Sequence, residues 1–152
     1  MLESLDSKAA RLLMQSGRAT WADLGQHLGL SAPAAADRVH RLEQRGVIRG
    51  YAALVDPESA GYPLTAFVAV TLERPDRRAA FLKRIASLPE VAECHHVAGD
   101  DDYLLKVRCR GTRDLDRLLV ESLKSVPGVR TRTTVVLATA KESAVVPIAE
   151  AE

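Results

Sequence analysis

The apolar residues of this chain recur at two different periods, and the change from one to the other divides it. Through residues 6–46 the spacing is helical: Ala9, Leu12 and Leu13 share one face, Trp21, Leu24 and Leu28 a second, and Ala35, Val39 and Leu42 a third. Each run carries its own punctuation. Asp6 stands where an N-cap would open the first helix, and Gly17 where that helix would end. Thr20 with Asp23 three residues on forms a capping-box pattern for the second helix, which Gly29 closes. Ser31 caps the third, Pro33 fits its first turn, and Gly46 terminates it. The tight Gly29-Leu30-Ser31 connection predicts a tri-helical unit of the helix-turn-helix type, with the third helix outermost as a DNA reader.

Beyond Gly46 the period falls to two. Residues 47–55 alternate weakly and predict a short strand, and 56–63, rich in Pro, Gly and Asp, read as a linker. Residues 64–73 form a strand-like run with Phe67, Ala69 and Thr71 on one side and Val68, Val70 and Leu72 on the other, so both faces need cover. A helix over 76–88 follows through Phe81, Leu82, Ile85 and Leu88, halted by Pro89 before a strand over 91–97. Gly99 and three aspartates make a turn into a half-buried strand, with Tyr103, Leu105, Val107 and Cys109 alternating with Leu104, Lys106, Arg108 and Arg110. Thr112 is placed to cap a helix striped with Leu115, Leu118, Leu119, Leu123 and Val126, ended by Pro127-Gly128 before a strand over 130–138. Ser87-Leu88-Pro89-Glu90-Val91 returns in form as Ser125-Val126-Pro127-Gly128-Val129, so the two halves leave their helices alike.

The order strand, helix, strand, strand, helix, strand predicts a ferredoxin-like domain, and the chain as a whole is α+β. The expected division is a helix-turn-helix domain over 1–50, strand and linker over 51–63, the ferredoxin-like domain over 64–142, and a tail over 143–152. In that tail Val145 and Val146 either add a strand or fray. Helices can cover only one face of a four-stranded antiparallel sheet, so the apolar second face of the first strand implies a partner subunit.

Composition narrows the function. With 152 residues, 47% of them apolar, the chain builds real cores. It has neither an apolar run long enough to span a bilayer nor a signal-peptide pattern, which predicts a cytoplasmic protein without membrane contact. Cys94 and Cys109 lack CxxC spacing and read as small buried hydrophobes. A net charge of +1 excludes coating nucleic acid by bulk electrostatics, so DNA binding must come from a local patch. Over residues 31–51 four arginines and His40 face only Asp37 and Glu43. Arg38, Arg41 and Arg45, at i, i+3 and i+7, predict a ridge turned outward, suited to phosphates and guanine edges. Alone, such a ridge is more often a solvated basic face; the capped helix and tight turn before it shift the reading toward DNA.

Catalysis is not expected. Cys94, His95, His96, Asp100 and Asp102 suggest a metal or nucleophile cluster, but adjacent strand residues point to opposite faces, and no phosphate loop or G-x-S-x-G elbow is present. Neither metal nor cofactor is expected.

Six segments together carry a resemblance: Leu5-Asp6, Leu28-Gly29-Leu30-Ser31, Arg38-Val39-His40-Arg41-Leu42-Glu43, Gly46-Val47-Ile48-Arg49-Gly50-Tyr51, Glu93-Cys94-His95, and Gly99-Asp100-Asp101-Asp102-Tyr103-Leu104-Leu105. In this order they resemble the Lrp/AsnC family, the feast/famine regulators, over residues 2 to about 142. The resemblance implies a sequence-specific regulator of transcription that binds double-stranded DNA, with a RAM-type C-terminal domain. It further implies dimers that associate further, often to octamers, and an effector, an amino acid or related small metabolite, bound at the interface between dimers through the C-terminal domain. It places Ser31, Ala34, Ala35, Arg38 and Arg41 on the DNA-reading helix, and makes His96, Gly99, Asp100, Asp102, Thr134, Val135 and Val136 candidates for the effector site. A turn carboxylate there could hold the ammonium of a free amino acid, although an acidic hairpin turn has that composition for local reasons too. His40 stands where the family usually has Arg or Lys, and Pro33-Ala34-Ala35-Ala36 makes the helix start apolar, so readout would lean on methyl contacts and DNA shape. His96 and Thr134 make the expected pocket polar and favour a polar or aromatic effector over leucine. The competing reading is a nucleoid-associated architectural protein that wraps DNA with little sequence preference; the ratio of specific to non-specific affinity separates the two.

Overall fold

In the computed structural model, which describes residues 3–149, the helical periodicity becomes α1 (Ser4–Gln15), α2 (Trp21–Leu28) and α3 (Ala32–Gln44). The Thr20 hydroxyl accepts the Asp23 amide N–H at 3.1 Å, and Asp23 returns by accepting the Thr20 N–H at 3.2 Å, so two amides that the helix leaves unpaired are satisfied reciprocally. Gly29 takes the left-handed conformation (φ 68°) that stops α2, and Ser31 caps α3 by accepting the Ala34 N–H. The start of α1 departs from expectation. Glu3 holds the cap position without a side-chain cap bond, and Asp6 lies inside the first turn, buried.

Ala9, Leu13, Leu24, Leu28, Ala35, Val39 and Leu42 form the core of this unit, with Leu5, Leu12, Leu30 and Ile48 packed at its edge. The carbonyl of Leu42 accepts both the Val47 and Ile48 amides, which folds the chain back after α3. The expected strand over 47–55 does not form. A weakly alternating segment gains little from extended geometry unless another strand pairs its backbone, and each strand of the sheet below pairs elsewhere. The described residues from Lys141 on belong to this helical unit, not to the second domain. The Arg11 guanidinium donates to the Ile148 carbonyl at 3.1 Å, and no strand forms over 141–149.

The second compact unit spans Val55–Ala140. Strands β1 (Leu64–Leu72), β2 (Val91–His96), β3 (Tyr103–Cys109) and β4 (Val129–Val135) make one sheet in the order β2-β3-β1-β4, antiparallel throughout. The β1–β2 crossover contains a 3₁₀ turn (Pro75–Arg77) and α4 (Arg78–Ala86), shorter than the single helix expected over 76–88. The β3–β4 crossover begins with α5 (Thr112–Arg117) and continues as a π-helical stretch over Leu118–Leu123. Thr112 does not cap α5; Gly111 occupies that position, and Asp114 accepts the Arg110 amide. The wider π turn brings Leu118 and Leu123, five residues apart, to the core together.

One face of the sheet is helix-covered: Ala66, Val68 and Val70 of β1 and Leu105, Val107 and Cys109 of β3 are fully buried there with Phe81. Burial of each large apolar side chain contributes about 1.5–3 kcal/mol. The opposite face carries Phe67, Ala69, Leu104 and Lys106, with Phe67 37% exposed. A bulge in β2 between Val91 and Glu93 shifts its register against β3. Among the described residues no helix is long and apolar enough to cross a membrane.

Candidate DNA-reading surface and effector hollow

The turn between α2 and α3 is closed by a residue that the sequence reading passed over. A Cβ at Gly25 would lie 2.6 Å from the Leu30 carbonyl oxygen and 3.2 Å from the Ala32 amide nitrogen, so only glycine lets the two backbones approach this closely. A glycine inside an otherwise helical run was the available signal.

On α3 the five residues expected at the DNA surface separate. Ser31 and Arg41 are exposed and Ala34 is half-buried. Ala35 is fully buried in the helical core and cannot touch DNA through its side chain. The outward arginine ridge does not form either. Arg38 donates from Nη1 to Asp6 Oδ1, and Arg45 donates to Asp6 Oδ2 at 2.9 Å, with Glu3 3.6 Å from Arg38. Arg41 alone of the three is without a carboxylate partner among the described residues. Beside it, the His40 ring meets Glu43 Oε2 at 3.1 Å and packs edge-to-face with Trp21, ring centroids 5.7 Å apart, while the Tyr51 hydroxyl donates to Glu43 Oε1 at 2.9 Å. Hydrogen bonds from His40 and Tyr51 hold the Glu43 carboxyl below its ordinary range. Burial, and then the Glu43 acceptor, push the Tyr51 hydroxyl up to about 12. Tyr51 thereby fastens the chain leaving α3 back onto that helix.

The second site is a hollow of about 540 Å³ on the helix-free face of the sheet. Phe67, Ala69 and Leu104 line it with apolar surface, and the β2–β3 hairpin brings Gly99, Asp100 and Asp101 to it. From β4 come Arg132 and Thr134. Asp101 accepts from Arg132 Nη2 at 2.7 Å and from the Thr71 hydroxyl at 3.2 Å, so an ion pair links the hairpin to β4.

Three of the seven effector candidates, Gly99, Asp100 and Thr134, line this hollow; the other four do not. Asp102 accepts the Leu72 amide at 2.7 Å and donates its own N–H to the Val70 carbonyl, which ties the hairpin to β1. His96 stacks on Tyr103, ring centroids 5.1 Å apart, on the helix-covered side. Val135 has the opposite parity to Thr134 and pairs with Ala66. Val136 lies past the end of β4, its amide bonded to the Thr65 carbonyl. Parity along β4 was the missed signal: once Thr134 was chosen, Arg132 belonged with it and Val135 did not.

A second hollow of about 590 Å³ lies against α5, beside Arg110, Arg113, Asp114 and Arg117. Asp114 is buried and accepts from the Arg110 backbone and side chain and from Arg117 at 2.6 Å, which holds its carboxyl well below the usual range. Burial first, then Asp114 and Glu90, push the thiol of the fully buried Cys109 up to about 11, which favours the thiol over the thiolate.

The profile of the AsnC-type helix-turn-helix domain matches residues 2–43, and that of the Lrp/AsnC ligand binding domain matches residues 65–146. The HTH-type transcriptional regulator LrpA of Mycobacterium tuberculosis is 41% identical over 138 residues, 91% of each chain. The leucine-responsive regulatory protein of Escherichia coli K12 is 40% identical over 145 residues, 93% of this chain and 88% of the relative. Among solved structures, a transcriptional regulator of Neisseria meningitidis in complex with L-Met superposes with a TM-score of 0.92 at 31% identity, covering 97% of both chains. The feast or famine regulatory protein of M. tuberculosis complexed with L-methionine gives 0.84 at 41% identity, covering 93% of this chain and 96% of that one. A helix-turn-helix joined to a ferredoxin-like ligand-binding domain defines a one-chain transcriptional regulator, DNA reader and sensor together. This chain belongs to the Lrp/AsnC family.

Proposed function

We propose that the chain is a sequence-specific DNA-binding regulator of transcription whose affinity for its sites responds to a free amino acid bound in the hollow beneath the β2–β3 hairpin. One observation carries the effector half: opposite charges, Arg132 against Asp100 and Asp101, stand over an apolar floor of Phe67, Ala69 and Leu104. An α-amino acid has that pattern in reverse, a carboxylate for the guanidinium, an ammonium for the aspartates and a side chain for the floor. The apolar floor favours an effector with an apolar side chain such as methionine. The polar preference expected from His96 and Thr134 loses half its basis, because His96 lies on the other face of the sheet.

DNA meets the exposed side of α3 at Ser31, Ala34 and Arg41. The exposed sheet face around Phe67 takes a second copy of the chain, which leaves the hollow at the interface between copies and gives dimers that assemble further, up to octamers; the protein works in the cytoplasm on the nucleoid. It is a regulator and not an enzyme, in keeping with its relatives.

The test is DNA binding to the region upstream of the protein's own reading frame, at fixed salt, with and without each of the twenty amino acids. One amino acid, methionine first among them, should change the affinity, and linkage requires DNA to change the affinity for that amino acid by the same factor. Tight binding that no amino acid alters would instead favour the architectural, DNA-wrapping reading.

A further inference from the structure

The helical unit contains a charged cluster that DNA contact does not explain. Asp6 is 5% exposed, yet it sits in the first turn of α1, away in sequence from both of its partners. Each carboxylate oxygen takes one guanidinium of α3, Oδ1 from Arg38 and Oδ2 from Arg45. Seven residues along a helix span about 10 Å, so a single buried carboxylate grips α3 at two points, which restrains both its tilt and its rotation about its own axis. The Arg38 side chain is only 19% exposed in this arrangement, whereas that of Arg45 is 53% exposed. Releasing Arg38 to a phosphate would leave a buried carboxylate half-paired, an unfavourable exchange.

We infer that Asp6 is a positioning residue for DNA reading: it draws Arg38 and Arg45 onto α1, sets the pose of α3, and leaves the phosphate contact of this helix to Arg41. The cation count on and just after α3 therefore overstates the electrostatic footprint, since Arg38 and the capping Arg45 already share the charge of one buried carboxylate. This inference rests on the DNA-binding reading above.

The experiment uses the full chain and a duplex that the wild type enriches from a random-sequence pool, with affinity measured from low to high salt. Arg41→Gln should reduce the slope of log affinity against log salt by about 0.9 per bound protomer, the value for one phosphate contact. Arg38→Gln should leave the slope unchanged and Asp6→Asn, which frees both arginines, should not lower it, while in both variants the ratio of specific to non-specific affinity falls about tenfold, comparable to losing one base contact. The double variant Asp6→Asn with Arg38→Gln should be no worse than either single change. A slope lowered by Arg38→Gln as far as by Arg41→Gln makes Arg38 a direct DNA contact and overturns the inference. A melting temperature that drops with both slope and ratio intact makes the cluster merely structural, which overturns it too. Should Asp6→Asn fail to fold, Arg45→Gln, at the more exposed partner, gives the same readouts, and an unchanged ratio there counts against the inference. A wild type that enriches no duplex refutes the DNA reading itself, whereas an enriched duplex with an unaltered ratio in the variants refutes only the role of Asp6.

Discussion

Replacing Arg132 with alanine separates ligand recognition from folding. Its guanidinium is paired with Asp101 at 2.7 Å, but the two side chains are 74% and 22% exposed, respectively. An ion pair so open to water contributes about 0–1 kcal/mol to stability, and salt screens it further. Arg132→Ala should therefore melt within a few degrees of the wild type. An amino-acid carboxylate docked on the same guanidinium loses a charge-assisted hydrogen bond worth about 1.5–3 kcal/mol, which weakens binding about ten- to a hundredfold. Isothermal titration with L-methionine measures the affinity, and thermal unfolding of the free protein supplies the control. Methionine bound as tightly by the variant as by the wild type would falsify the assignment of Arg132 to the carboxylate. A variant that is grossly unstable without ligand would show that the Asp101 pair holds the hairpin in place, contrary to the magnitudes above.

Three further outcomes follow from the same reasoning. Asp114→Asn should destabilise the protein by about 2 kcal/mol near neutral pH, the scale of a charge-assisted bond to a buried carboxylate, moderated because Arg110 and Arg117 are half-exposed and regain water. The wild-type carboxyl is held below its unfolded value, so its contribution is complete above about pH 4 and fades as pH falls toward the folded value; the stability gap to the variant must narrow on acidification in urea titrations, and a gap that widens contradicts the pairing. Gly25→Ala drives a methyl group into the Leu30 carbonyl and should cost at least about 1–3 kcal/mol and most DNA affinity, while methionine binding at the other unit stays as it was; intact DNA binding by electrophoretic shift argues against the close turn. Cys109, fully buried with its thiol pushed up to about 11, should resist alkylation at pH 8 until urea unfolds the chain, and peptide mapping that finds it labelled in the native protein contradicts its burial.

The elements with strong local signals were legible in the sequence. The Thr20–Asp23 box, the left-handed Gly29 and the Ser31 cap mark the α2–α3 turn from side-chain chemistry alone, and the alternation of β3 reads directly as buried against half-buried. Signals that depend on a distant neighbour misled. Residues 47–55 alternate, but a strand needs a ladder partner, which periodicity does not supply. The arginine ridge was visible; the buried acid on α1 that pairs with two of its members was not, because nothing in the spacing of Asp6 joins it to Arg38 or Arg45. At the hollow on the helix-free face the aspartate turn was found as a group and its members were confused. Asp102 spends its carboxylate on the Leu72 amide, whereas Asp101 faces Arg132. Three consecutive aspartates look alike in sequence, and only the backbone path through the hairpin distinguishes them.

The bulge in β2 has a bearing on how insertions and deletions are tolerated. Val91 pairs with Val107 and Cys94 with Leu105, and both pack on the helix-covered core although they stand three positions apart. An unbroken pleat would turn one of the two outward; the extra residue at Ala92 is what lets both face in. The distance from Pro89 to Gly99 is thus counted in whole residues. Losing Ala92 would straighten the strand with Val91 still opposite Val107, facing the core two positions from Cys94, and would keep the hairpin in place, whereas losing a residue between Glu93 and Gly99 would invert the hairpin and carry Asp101 away from Arg132. The same strand is forgiving at one end and strict at the other, and the strict end is the one that sets Asp101 against Arg132.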